Sequence, residues 1–395
     1  MAGEVSGDMF AKCRDWRLMD EAVAMGVYPY YRPIEMPAGA GEVVVGGRRV
    51  VMAGSSDYLA LSGDARVRAA AVAAIERLGV GTGGSRLTNG TLALHEELEG
   101  RLARFLGHEA AMVVTTGFQA NLALSALFGP ADEVLADGHV HASLIDAARQ
   151  GRARLRRFRH NDLGHLARLL ERGQADAGRL VLSEGLFSAT GDVCDLPGIV
   201  KLAERHRVRL CLDIAHDVGV LGAGGRGAAE RFGLQSAVDV YTVAFSKGLG
   251  GLGGAITGPE PVINYLRHHA RAMLFSTSLP PASAAAALAG LGIIEAEPER
   301  RRRVLAHAAR LSTELAALGL AGVGPGDTPI IAVPVGDAVR CMRLCSTLLD
   351  EGVFTLAMIP PSVPEGRSLI RLTVTAAHTD DHIDRILDAF AVVCG

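Results

Sequence analysis

Ala244-Phe245-Ser246-Lys247-Gly248-Leu249-Gly250-Gly251 sets a lysine at the head of a glycine-rich turn, directly after the apolar run Val238-Asp239-Val240-Tyr241-Thr242-Val243. A run so nearly all apolar reads as a strand, and glycines allow close backbone approach to a ligand. Upstream, Val208-Arg209-Leu210-Cys211-Leu212 is a second such run and ends in Asp213-Ile214-Ala215-His216. Further out, Ala111 to Val114, Glu133 to Leu135, Leu155 to Phe158 and Leu180 to Leu182 read as strands, while Leu94, Leu98, Leu102 and Phe105 recur on one face of a helix. Strands alternating with amphipathic helices predict a mostly parallel sheet covered by helices, with ligands bound beyond the carboxyl ends of the strands. Lys247 and Asp213 both stand at such ends.

The pattern changes after Pro280-Pro281. A small-residue helix (Ala282 to Ala296) is followed by a charged amphipathic one from about Glu297 to Leu318. Then come a strand at Ile330 to Pro334, a helix at Asp337 to Glu351, a strand at Leu369 to Thr375 and a last helix from about Asp380. The chain thus divides into an N-terminal arm (1–60), a large α/β domain (61–281) and a smaller C-terminal α/β domain (282–395).

Composition bounds the function. The 395 residues are 49% hydrophobic with a formal net charge of -3, an ordinary globular balance that gives no electrostatic case for nucleic acid as a partner. Arginines cluster at Arg149, Arg152, Arg154, Arg156, Arg157 and Arg159 and again at Arg300 to Arg303, either as solvated faces or as a docking site for an anionic acyl carrier. The cysteines (Cys13, Cys194, Cys211, Cys341, Cys345, Cys394) lack paired metal-ligand spacing and suit a reducing compartment, so no metal is expected. Met1-Ala2-Gly3-Glu4-Val5 lacks a signal pattern and no stretch is apolar enough to span a membrane; the expectation is a cytoplasmic protein.

Each candidate residue has a plain structural reading by itself: a solvated loop lysine, a turn aspartate, a βα-turn glycine, a surface histidine. Their joint placement predicts chemistry. A strand-end aspartate, a histidine three residues on and a lysine at the next strand's exit point to pyridoxal 5'-phosphate (PLP). Lys247 would hold the cofactor aldehyde and Asp213 would keep the pyridine nitrogen protonated, so that the ring acts as an electron sink. His216 and Ser188, the latter in Glu184-Gly185-Leu186-Phe187-Ser188, would reach the ring's phenolic oxygen. Thr116, Gly117 and Phe118 form a strand-to-helix turn whose N–H groups would take the phosphate. His141 opens the following helix, where its ring would stack on the pyridine face.

From about Gly26 onward these segments resemble the α-oxoamine synthase family of fold-type I PLP enzymes. The matching stretches include Gly26-Val27-Tyr28-Pro29-Tyr30-Tyr31-Arg32-Pro33, Asp57-Tyr58-Leu59, Gly81-Thr82-Gly83-Gly84-Ser85-Arg86-Leu87, Phe158-Arg159-His160-Asn161-Asp162, Phe275-Ser276-Thr277-Ser278-Leu279-Pro280-Pro281 and Thr375-Ala376-Ala377-His378-Thr379. The resemblance implies a seven-stranded-type, mostly parallel sheet in the large domain and a homodimer with shared active sites. It implies that Ser276 and Thr277 reach the neighbouring subunit's cofactor phosphate, and that Arg371 grips an amino acid carboxylate. The implied reaction is a decarboxylating Claisen-type condensation of a small amino acid with an acyl-CoA or acyl-carrier-protein thioester, giving an α-amino ketone. Three positions depart from the family pattern: Ile214 replaces a glutamate, Ala244 replaces a phosphate-binding threonine, and Ser56 replaces an asparagine beside the substrate carboxylate. That drift suggests a specialised biosynthetic enzyme. The alternatives are another PLP activity on this fold (aldolase, aminotransferase or non-decarboxylating condensing enzyme) and a non-catalytic partner subunit, which would be expected to lack Lys247.

Overall fold

The computed structural model describes residues 8–37, 41–173, 176–320, 324 and 326–394; Met1 to Val5 and Gly395 lie outside the described residues. In chain order the strands are β1 (Met36–Pro37), β2 (Glu42–Val45), β3 (Arg48–Met52), β4 (Ala110–Val114), β5 (Glu133–Asp137), β6 (Arg154–Phe158), β7 (Arg179–Glu184), β8 (Arg209–Asp213), β9 (Val240–Ala244), β10 (Gly254–Gly258), β11 (Ile330–Gly336), β12 (Val353–Phe354), β13 (Leu356–Met358) and β14 (Ser368–Thr373).

Seven of them form one sheet in the order β4-β10-β9-β8-β7-β5-β6. Neighbours from β9 to β6 are parallel, and β10 runs antiparallel to both β4 and β9. All five residues of β9 are buried, which is why its sequence is a continuous apolar run rather than an alternation. It begins two residues later than the run suggests, because the Asp239 carboxylate accepts from Arg209 and the Leu210 N–H and turns the chain there. The sequence Gly-Ala-Ile-Thr-Gly of β10 is too short and glycine-rich to announce a strand, and it was not expected. β4 forms one edge of the sheet and β6 the other. Along its arginine run, Arg156 pairs with Glu133 at 3.0 Å, Arg159 with Asp162 and Arg157 with the Gly138 carbonyl, leaving Arg149, Arg152 and Arg154 exposed. Charge on an edge strand blocks pairing with another sheet.

Helix Ala93–Leu106 buries Leu94, Leu98, Leu102 and Phe105, the face its spacing predicts, each contributing about 1.5–3 kcal/mol. The small-residue helix Pro281–Ala296 packs tightly behind the lysine turn: a Cβ on Gly290 would stand 2.7 Å from the Leu249 carbonyl oxygen. The second arginine cluster is structural in part. Arg300 bonds Asp64 at 2.6 Å, Glu297 at 2.8 Å and the Leu59 carbonyl at 2.9 Å, and buried Arg301 bonds the Ala223 and Ile294 carbonyls.

Two smaller sheets complete the structure, β11-β14-β13 and β1-β2-β3-β12, the latter joining β3 in parallel to β12. Between them the Thr373 N–H donates to the Ala53 carbonyl (2.8 Å) and the Ala376 N–H to the Tyr58 carbonyl (2.7 Å). These bonds press the 53–58 segment against β14. Among the described residues no helix is long and apolar enough to cross a membrane.

Candidate active site

Glu184 and Asp213 end β7 and β8 side by side in register. Asp213 accepts the Ala215 N–H at 2.9 Å and the Asn121 amide at 2.7 Å. Asn121 also donates to the Ser143 hydroxyl (2.9 Å), which donates in turn to His141 Nδ1 (2.6 Å). Asp213 and His141, on separate strand exits, are therefore ends of one hydrogen-bond chain. Two enclosed carboxylates require a nearby cation, and Lys247 leaves β9 next to them. Burial lowers the basicity of its amine, Arg371 lowers it further, and the charges of Asp213 and Glu184 work against both. The turn that carries it has no room for a side chain at 248, where a Cβ would meet the Val218 carbonyl oxygen at 2.2 Å.

Glu184 was not singled out from the sequence, although a carboxylate at a strand end was the signal that marked Asp213. Its two oxygens accept the N–H of His141 (2.5 Å) and of Ser188 (3.2 Å), binding two loops to one carboxyl group. Burial, and then the charge of Asp213, push that carboxyl well above the ordinary carboxylate range. The loop ahead of His141 is pinned a second time by Asp137, which accepts the His139 and Asn161 N–H groups. His160 bridges Asp137 (2.9 Å) and Asp192 (2.7 Å) and stacks on His139 at 3.9 Å. Burial opposes charge on His160, but the two carboxylates prevail and raise its pKa to about 9.

Arg371, on β14, is only 7% exposed. Its Nη2 donates to the Tyr58 hydroxyl (3.2 Å) and the Ser56 hydroxyl (3.4 Å), while its Nε has no partner. Among the described residues it forms no ion pair. Tyr58, fully buried, meets His216 Nδ1 at 2.6 Å. Burial, then the charges of Lys247 and Arg371, hold His216 well below its usual pKa, so the ring is neutral. Tyr58 and Asn121 were missed as site residues because their partners are remote in sequence; Ser143 stands two residues from His141, but its link to Asp213 runs through Asn121 and shows only in the fold. One residue beyond His216, Asp217 is fully enclosed: one oxygen accepts the Ala228 N–H at 2.7 Å, the other has no partner, and burial raises its carboxyl to about 7.

At the opposite end, the Thr116 hydroxyl accepts the Gln119 N–H (3.1 Å) and so caps helix Gly117–Ala123. A Cβ on Gly117 would fall 2.5 Å from the Ala244 Cβ, so the bare backbone of the helix end faces the strand exit. Phe118 meets the His141 ring edge-on at 6.1 Å. Ser276 accepts from the Gln119 amide at 2.8 Å and Thr277 bridges to Ser85; neither hydrogen-bonds to the Asp213–Lys247 group within this one chain. Ile214 is fully buried and turned toward Gly227, where it serves the core.

These residues fit PLP. A strand-end carboxylate that would take the ring nitrogen, a lysine whose amine burial makes less basic, a histidine that would cover the ring, polar donors that would reach the phenolic edge and an unobstructed helix end that would take phosphate lie in one group. Burial comes first for His141, His216 and Lys247, and neighbouring charges add to it: Asp213 and Lys247 act on His141, Lys247 and Arg371 on His216, and Asp213, Glu184 and Arg371 on Lys247.

The chain matches the family described as aminotransferase class I and II over residues 48–390. It is 37% identical over 383 residues to a serine palmitoyltransferase of Sphingobacterium spiritivorum, covering 97% of this chain and 96% of that one. It is 40% identical over 370 residues to an 8-amino-7-oxononanoate synthase of Symbiobacterium thermophilum, covering 93% and 94%. A serine palmitoyltransferase structure from S. paucimobilis, a lysine-to-alanine variant with a bound PLP–myriocin aldimine, superposes with a TM-score of 0.94 at 32% identity, covering 97% of each chain. The strand-end constellation and these likenesses agree: the chain belongs to the α-oxoamine synthases, PLP-dependent C-acyltransferases of fold type I within the aminotransferase class I and II family.

Proposed function

We propose that the protein condenses a small amino acid with an acyl thioester, on CoA or on an acyl carrier protein, with loss of CO2 to give an α-amino ketone in a biosynthetic pathway. The observation that carries this reading is Arg371, a guanidinium 7% exposed, without an ion-pair partner among the described residues and with an unpartnered Nε. Such a group calls for an anion, and the two oxygens of an amino acid carboxylate match its fork. Ser56, already within reach of Arg371, would hold one of those oxygens. The likeness to a serine palmitoyltransferase supports an acid about the size of serine.

When bound, PLP supplies the electron sink that makes the α-proton acidic and accepts the electron pair left by CO2. Lys247, whose amine burial makes less basic, takes the α-proton. Asp213 holds a proton at the ring nitrogen, His141 covers the ring face and orients the acid, and Ser188 and His216 donate at the phenolic edge. The Thr116–Phe118 turn binds phosphate, with Ser276 and Thr277 contributed by the other subunit of a homodimer. Residues 1–60, 61–281 and 282–395 are read as arm, cofactor domain and small domain. Free Cys13, Cys194, Cys211, Cys341 and Cys345 support work in the reducing cytoplasm.

The test is release of CO2 from carboxyl-labelled glycine, alanine and serine, with and without acyl-CoA or acyl-carrier thioesters. Thioester-dependent release that disappears in Lys247→Ala is expected; release that needs no thioester would overturn the reading.

A further inference from the structure

We propose that Tyr58 is a positioning residue that fixes the single ring proton of His216 on Nε2 and links that proton to the occupancy of Arg371. The argument is donor and acceptor accounting. A guanidinium has no lone pair to offer, so the contact between Arg371 Nη2 and the Tyr58 oxygen can only run from arginine to tyrosine. The phenol has one proton and two neighbours that could take it, His216 and the Ser56 hydroxyl; the His216 Nδ1 contact, at 2.6 Å, is a normal length for a hydroxyl donor and short for a ring N–H, which gives the proton to His216. Tyr58 is fully buried, so water does not compete for that proton. Nδ1 is then the acceptor, and the proton of the neutral ring must sit on Nε2.

The consequence is directional. A histidine with Nε2–H presents a donor on the side away from Tyr58, which suits an anionic oxygen; the other tautomer would present a lone pair there. Three side chains on distant parts of the chain, Arg371 on β14, Tyr58 after β3 and His216 after β8, thus form one line of polarised hydrogen bonds. A carboxylate arriving at Arg371 neutralises the charge that polarises the Tyr58 hydroxyl, so the Nε2 proton reports binding at the arginine. This coupling rests on the reading of Arg371 as the carboxylate site; the tautomer assignment does not.

The experiment is a long-range proton–nitrogen correlation spectrum of histidine-labelled protein, with and without PLP, the His216 signals being assigned by their loss in His216→Gln. The wild-type ring is expected to carry its proton on Nε2 with Nδ1 bare. In Tyr58→Phe the tautomers are expected to mix, and the apparent Kd for the amino acid to rise roughly threefold to tenfold, the worth of one hydrogen bond. In the PLP-free protein, adding amino acid should move the His216 signals in the wild type and not in Tyr58→Phe. Three results would overturn the proposal: an Nδ1 proton in the wild type, an unchanged tautomer in a folded Tyr58→Phe, or wild-type signals that stay fixed while amino acid binds. The wild-type spectrum decides even if the variant does not fold. No thioester or turnover is involved, so failure of the condensation assay is read separately.

Discussion

Asp217 gives the fold a pH dependence whose sign can be worked out. Its carboxyl titrates near 3.8 in the ordinary state and at about 7 in the fold, where burial favours the neutral form. Between those values the native chain holds the extra proton, so stability falls as pH rises through the window, by on the order of 4 kcal/mol, and stays lower above it. Asp217→Asn keeps an oxygen for the Ala228 N–H and removes the titration. Urea unfolding should show the variant gaining on the wild type from pH 4.5 to pH 8; parallel curves would refute the assignment. His160 acts in the same sense in a higher pH window, through a charged rather than a neutral protonated form. Its folded pKa is raised, so its stabilisation is complete below about 6.5 and is lost as pH climbs through about 9. Because solvent reaches part of the ring, ~1–2 kcal/mol is expected rather than the full value of the shift. His160→Gln should flatten the alkaline limb of the stability curve. For Glu184→Gln, an amide nitrogen must replace one of two accepting oxygens, so the His141 or the Ser188 N–H loses its acceptor, for about 1–3 kcal/mol in the same unfolding assay.

The elements explain what could be read from the sequence and what could not. Lys247 and Asp213 were legible because one follows and the other ends a buried strand, and such strands write themselves as apolar runs that stop at the edge where a ligand would bind. The helix face of Leu94, Leu98, Leu102 and Phe105 was legible for the same kind of reason, a fixed period. β10 was not, since two of its five residues are glycine. Nor was Tyr58's part in the site, because the tyrosine acquires its role only when β14 brings Arg371 beside it. The turn from β4 into helix Gly117–Ala123 makes a sharper test. Gly117→Ala would place its methyl 2.5 Å from that of Ala244, an overpacking that costs about 1–3 kcal/mol and should loosen PLP retention in an absorbance titration. Ala244→Gly in the same chain should recover much of the loss; strict additivity of the two changes would mean that the contact is not the cause.

At the scale of the molecule, exposed Phe275 (74%), Leu87 (56%) and Phe118 (45%) surround the segment that holds Ser276 and Thr277. This favours a subunit interface there. If sites are shared, mixing Lys247→Ala with a Ser276→Ala/Thr277→Ala chain and allowing subunits to exchange should restore up to about a quarter of wild-type turnover, since half of the dimers would be mixed and each would contain one intact site. No recovery in verified mixed dimers would show that each chain works alone. The pairing of β3 with β12 has a consequence of a different kind. Val51 and Met52 wait for Val353 and Phe354, and Tyr58 waits for Ala376, so the ribosome must have nearly finished the chain before the corner that binds the amino acid can close. A stalled or truncated nascent chain could display its lysine and aspartate complete, and still have nowhere to hold a substrate.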